Sequence, residues 1–173
     1  MLDTEQIKKI LPHRGRQLLV DQIVEIERPN RCVGTKVITE EDAIAPGEGG
    51  LKVFPRSLVI EAMAQVGGIP MHQDDGVPAY LVAVDGFVFH DSVHAGETLR
   101  MEGQIEWMRG KLFKAVVTAS TDRGVVAEGH VLYAAESAMH FDIAIAPHAH
   151  VNGQSQNGHV GRTNVAETEV VRE

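Results

Sequence analysis

The sequence predicts an α+β domain in which one antiparallel sheet wraps a single central helix. Two observations carry that prediction. A segment from Leu58 to Val66 is apolar on almost every side of a helix, the mark of a helix buried inside a domain rather than laid on its surface. After it come four strand-like segments, the last three long and joined by tight turns at Arg109–Gly110 and Asp122–Arg123–Gly124.

In chain order, Thr4–Leu11 reads as a short helix capped by Asp3 or Thr4, with Ile7, Ile10 and Leu11 on one face and Pro12 as its stop. His13–Arg14–Gly15–Arg16 is a polar loop. Leu18–Ile26 and Arg31–Thr39 read as two strands of a hairpin turned at Arg28–Pro29–Asn30, with Val33, Thr35, Val37 and Thr39 sharing a face. Glu40–Lys52 reads as a loop whose glycines permit a close backbone approach, without a phosphate-loop or dinucleotide pattern. Ser57 is the expected cap of the central helix, which ends or kinks near Gly68 because Pro70 cannot continue it. Gln73–Gly76 is an exposed turn. Strands follow at Ala79–Phe89, Glu97–Met108, Lys111–Thr121 and Val125–Ala135. Residues 1–137 form the expected domain. Residues 138–173 form a polar, histidine-containing tail, with Ile143 and Ile145 able to add a strand segment.

Whole-chain properties narrow the function. The 173 residues carry 43% apolar side chains but only 5% aromatic ones, so aliphatic groups must fill most of the core. A net charge of −8 argues against a general nucleic-acid binder. An acidic partner would need a local basic patch, for which Lys8, Lys9, Arg14, Arg16, Arg28 and Arg31 are candidates. The single Cys32 excludes an internal disulfide and a cysteine-rich metal site, and suits a reducing, cytoplasmic setting. No signal pattern opens the sequence, and no apolar run has the length of a membrane span. His148 and His150 in the tail lack helical ligand spacing and a third partner, so no metal and no cofactor is expected.

Glu61 and Gln65 are the polar side chains of the apolar helix, one turn apart on one face. Burying a carboxylate costs several kcal/mol unless it is paired or protonated. Glu61 is therefore either a buried acid tied to a structural donor or an acid held ready to protonate a leaving group. Gln65 either satisfies a stray backbone group or positions Glu61 or a ligand. A sheet covers one side of such a helix, and the sequence offers no second sheet for the other. A homodimer with Glu61 near the interface is expected, with further assembly left open.

Three segments together resemble a known family. They are Ile10–Leu11–Pro12–His13–Arg14 with Leu18–Leu19–Val20–Asp21; Pro55 with Leu58–Gly68; and Asp85 with Val93 and Gly96–Glu97–Thr98–Leu99. In order and spacing they resemble the hotdog-fold β-hydroxyacyl-(acyl carrier protein) dehydratases of the FabZ type, over about Thr4–Ala135. The resemblance implies a hotdog fold and an acyl-thioester substrate on an acyl carrier protein or coenzyme A. It implies the chemistry of fatty acid or polyketide synthesis, in which a histidine takes the α-proton and a glutamate from the other subunit protonates the departing hydroxyl. Backbone N–H groups at the helix start would hold the thioester carbonyl.

The family glutamate falls on Glu61 and the following glutamine on Gln65. Gly50, Phe54 and Pro55 fall on substrate-binding positions. The family histidine, fourteen residues before the glutamate in a Gly-His-Phe-Pro-Gly loop, falls on Gly47, and no histidine occurs between His13 and His72. Arg56 stands for a glycine at the helix start. Glu48 in the same loop and His90 after the third strand are candidate substitute bases, with His94 near the latter. Two other functions stay open: an acyl thioesterase using Glu61 as base or nucleophile, and an acyl-binding or partner subunit without turnover.

Overall fold

The structure is a computed structural model describing residues 1–72 and 79–135. Its elements are α1 (Thr4–Ile10), β1 (Gln22–Glu27), β2 (Arg31–Val37), β3 (Ala45–Pro46), β4 (Lys52–Phe54), α2 (Arg56–Gly68), β5 (Ala79–Phe89), β6 (Val93–His94), β7 (Thr98–Arg109), β8 (Leu112–Thr121) and β9 (Gly124–Ala135). Short 3-10 turns cover Gly15–Gln17, Glu48–Gly50 and Ile69–Met71. The expected turn at Gln73–Gly76, the tail histidines, and Ile143 and Ile145 lie outside the described residues.

One antiparallel six-stranded sheet runs in the order β1-β2-β7-β8-β9-β5. Helix α2 packs against β7, β8 and β2 of that sheet and also touches β9 and β5. The core between them holds Val59, Met63 and Val66 of the helix against Leu99, Met101, Phe113, Ala115 and Val117 of the strands. The helix reaches the sheet closely because glycine faces glycine: a β-carbon at Gly103 would stand 2.5 Å from Gly67 Cα. Tyr133 stacks on Phe113 with ring centroids 4.6 Å apart, and its hydroxyl donates to the Ala64 carbonyl at 2.7 Å. Burial holds this phenol well above its usual pKa.

Several expectations change. Leu18, Leu19 and Val20 are core residues but not strand; β1 starts at Gln22, after a 3-10 turn. In β2 Cys32, Val33, Gly34 and Lys36 are buried, whereas Val37 is 51% exposed. Gly34 faces α2: Val66 lies against it, and a β-carbon there would meet Val66 Cγ2 at 2.8 Å. Lys36 tolerates burial through an ion pair with Asp42 at 3.2 Å.

The Glu40–Lys52 loop is not all loop, because β3, β4 and β6 form a second, three-stranded sheet. The chain thus does offer a second sheet, though a small one, built from the two strands before α2 and from β6 after β5. Ser57 does not cap α2: the N-cap is Pro55, which supplies no side-chain cap, and its fixed φ suits the turn into the helix. Asp3 does cap α1, with a reciprocal capping box through Gln6.

Candidate active site

The buried residues of α2 are Val59, Ala62, Met63, Ala64, Gln65, Val66, Gly67 and Gly68. Leu58, Ile60 and Glu61 are only partly covered in the single chain. Glu61 is therefore not sealed inside the domain, and its side chain keeps 37% of its accessible surface. The rest of it forms part of the wall of a pocket of about 230 Å³. Leu11, Pro12, His13, Ala64, Gln65, Gly68, His72, Ala79, Tyr80, Leu81 and Tyr133 complete that pocket.

Gln65 fixes the carboxyl. Its amide nitrogen donates to Glu61 Oε1 at 2.9 Å and to the Gln17 carbonyl at 2.7 Å, and its Oε1 accepts from the Leu19 N–H at 2.9 Å. Both readings of Gln65 are therefore present in one side chain: it satisfies two backbone groups of the segment after α1 and it holds Glu61. On the other side of the carboxyl, His13 Nε2 lies 3.3 Å from Glu61 Oε1.

The His13 loop is held from outside by Arg14. One guanidinium nitrogen of Arg14 donates to the Leu11 and His13 carbonyls at 2.6 and 2.7 Å, and the other donates to the Lys8 carbonyl at 2.7 Å. His72, in the same wall, is 5% exposed, and burial lowers its pKa, with the positive charge of Arg28 adding to the effect. The Arg28 guanidinium donates to the His72 carbonyl at 2.5 Å.

The remaining sequence candidates lie elsewhere in the single chain. Glu48, Phe54 and Pro55 line a larger concavity of about 510 Å³, with Gly47, Arg56, Val59 and Phe89. Glu48, His90 and His94 also line a smaller, polar pocket of about 200 Å³. His90 Nε2 is 3.0 Å from Glu128 Oε1. Gly50, at φ +80°, turns the loop after Glu48 and lines none of these pockets. The structure brings Glu61 and Gln65 together but seats Glu48 and His90 around other pockets of the same chain. His13 was read from the sequence as part of a polar loop; the signal that marked it was its place in the first resembling segment. Among the described residues, no group of three or more metal-ligating side chains comes together.

A single helix cradled by an antiparallel sheet defines a hotdog fold, here with a carboxyl beside a partly apolar pocket. Solved structures share this fold. The dehydratase heterocomplex ApeI:P of Xenorhabdus doucetiae aligns with TM-score 0.63 at 16% identity, covering 75% of this chain and 90% of that one. The virulence protein Cj0977 of Campylobacter jejuni aligns with TM-score 0.61 at 16% identity, covering 76% and 88%. These likenesses bear on the fold alone. Sequence relatives give the family.

A 3-hydroxyacyl-(acyl-carrier-protein) dehydratase FabZ of Thermomicrobium roseum is 39% identical over 140 residues, 78% of this chain and 93% of its own length. Its counterpart in Desulforamulus reducens is 38% identical over 141 residues, covering 78% and 97%. The chain belongs to the FabZ dehydratase family. No protein-family model matches it.

Proposed function

We propose that the chain processes 3-hydroxyacyl thioesters by dehydration, with Glu61 as the acid that protonates the departing hydroxyl. One observation carries this reading: the Glu61 carboxyl stands at the wall of a pocket lined by Leu11, Ala64, Leu81 and Tyr133, held by Gln65 from its own helix. An acid fixed beside an apolar slot suits an acyl chain carrying one polar carbon, because the chain is desolvated while the hydroxyl meets a donor. The substrate class follows that of the relatives, whose names specify acyl groups on acyl carrier protein. Gly50, Phe54 and Pro55 are proposed to line the path of the carrier arm at the start of α2, where the first helical N–H groups lack intrahelical acceptors.

The working unit is proposed to be a homodimer. Strand β5 lies at the sheet edge and exposes Tyr80 (59%), Leu81 (49%), Val82 (53%), Val84 (44%) and Val88 (48%). A long apolar edge of this kind is an aggregation hazard unless covered, and a second copy of β5 covers it by isologous antiparallel pairing. Ala79, Tyr80 and Leu81 also rim the Glu61 pocket, so the same contact would complete its wall.

The test is to give purified protein crotonyl thioester and a saturated acyl thioester. Hydration of the first without thiol release from the second supports the proposal. Thiol release alone indicates a thioesterase. Inactivity on both, with acyl-carrier binding retained, indicates a binding or partner subunit.

A further inference from the structure

We infer that His13, from the same chain as Glu61, is the base that removes the C2 proton; this deepens the dehydration reading and rests on it. The position fourteen residues before Glu61 is Gly47, so the loop carries no imidazole. Among the described residues, the imidazoles that line the Glu61 pocket are His13 and His72. His13 Nε2 stands 3.3 Å from Glu61 Oε1, and its side chain keeps 32% of its accessible surface, open to a ligand in the pocket. His72 is 5% exposed and makes no ion pair with Glu61.

Two further features fit a working imidazole better than a structural one. The Nδ1 atom of His13, like that of His72, is buried and has no hydrogen-bond partner among the described residues, so no structural bond ties the ring itself down. The loop around His13 is fixed instead through its backbone, by the three Arg14 hydrogen bonds and by Pro12. Arg14 is thus a positioning residue that leaves the ring free of other duties.

The geometry closes a proton cycle. The forward reaction requires one transferable proton, on Glu61, beside a neutral His13 ring. His13 Nε2 takes the C2 proton, and the C2–H electron pair becomes the C2–C3 double bond. The C3–O bond breaks and the Glu61 proton passes to the hydroxyl, which leaves as water. Imidazolium and carboxylate are then left side by side, and the proton moves from Nε2 to Oε1. No outside acid or base is needed for the next turnover.

The experiment is steady-state hydration of crotonyl thioester by wild type, His13→Gln, His13→Asn, His72→Asn, Glu48→Gln, His90→Gln, Glu61→Gln and the double variant His13→Gln/Glu61→Gln. The His13 variants are expected to lose about 10²–10⁴-fold in kcat with KM nearly unchanged, and the double variant to be no slower than the slower single. A His13 variant that keeps kcat, or a matching loss confined to His72→Asn, Glu48→Gln or His90→Gln, overturns the assignment; if Glu61→Gln is still inactive, the dehydratase reading stands.

A wild-type protein inactive on this substrate overturns both. A 3-alkynoyl thioester gives a check on wild type that does not depend on variants folding. A base that takes its C2 proton, with a proton returned at C4, makes a 2,3-allenoyl thioester whose C3 is attacked by the same nitrogen. Mass spectrometry is expected to find the adduct on His13; an adduct elsewhere, or none from an enzyme that turns over crotonyl thioester, contradicts the proposal.

Discussion

Gly103 of β7 and Gly67 of α2 meet backbone to backbone, leaving no room for a side chain between sheet and helix. A β-carbon at 103 would stand 2.5 Å from Gly67 Cα and 3.1 Å from Gly67 N, and neither atom can rotate away. This contact sets the depth at which α2 lies in the sheet, and so the position of Glu61 about two turns earlier. Gly103→Ala is therefore expected to destabilise the fold by about 1–3 kcal/mol, the usual cost of overpacking. Urea unfolding reads the change directly.

Gln65 holds two backbone groups and one carboxyl. Gln65→Leu keeps the volume but leaves the Leu19 N–H and the Gln17 carbonyl without their partner. A loss of about 1–3 kcal/mol for each buried group left unpaired is expected. Hydration activity should fall as well, because Glu61 loses its anchor. A variant as stable as wild type would show that water replaces the amide.

The Tyr133 phenol should make the protein alkali-sensitive. Its folded pKa is raised by burial, so it stays protonated in the fold while an unfolded tyrosine ionises near pH ~10. Its contribution is intact below that pH and is lost as pH rises toward the folded value. Melting temperatures across pH 8–11 should fall more steeply for wild type than for Tyr133→Phe.

Much of this fold was legible because local pattern and tertiary role agreed. The apolar run at 58–66 read as a buried helix, which α2 is along most of its length, and Asp3 was one of two candidate caps for α1. What pattern did not show was packing. Val33, Thr35 and Val37 share a face of β2, with Val33 buried and Val37 exposed, but nothing in the alternation says that Gly34 on the other face meets Val66 of α2. The short β3, β4 and β6 are too brief to show any period and exist through pairing with one another. Glu61 was legible as the odd polar group in an apolar helix. Its neighbour His13 was not, because only the fold brings the loop after α1 beside the middle of α2.

At the opposite pH extreme, Glu102 carries a weaker signal. Arg31 Nε donates to its Oε1 at 2.6 Å, and this bond holds the carboxyl below the usual range. Its contribution is present above the ordinary carboxylate value and is lost as pH falls through the folded one. With 35% of the side chain exposed, solvent screening limits the effect to about 0.2–1 kcal/mol. Glu102→Gln should narrow its stability gap from wild type as pH drops from 7 to 3 in thermal melts.

The apolar edge is tested by charge. Val84→Lys and Leu81→Lys replace exposed apolar side chains of the proposed β5 pairing by a cation. Light scattering should find wild type as a dimer or a multiple of one, and the variants shifted toward monomer. Hydration activity should fall with them, since Leu81 also rims the pocket.

Glu61 carries the proposed chemistry most directly. The decisive measurement is the rate of crotonyl thioester hydration by Glu61→Gln against wild type, with the melting temperature of each recorded. A kcat loss of about 10²-fold or more is expected in a variant that melts like wild type. A Glu61→Gln protein that hydrates the thioester at the wild-type rate would contradict the assignment of Glu61 as the acid.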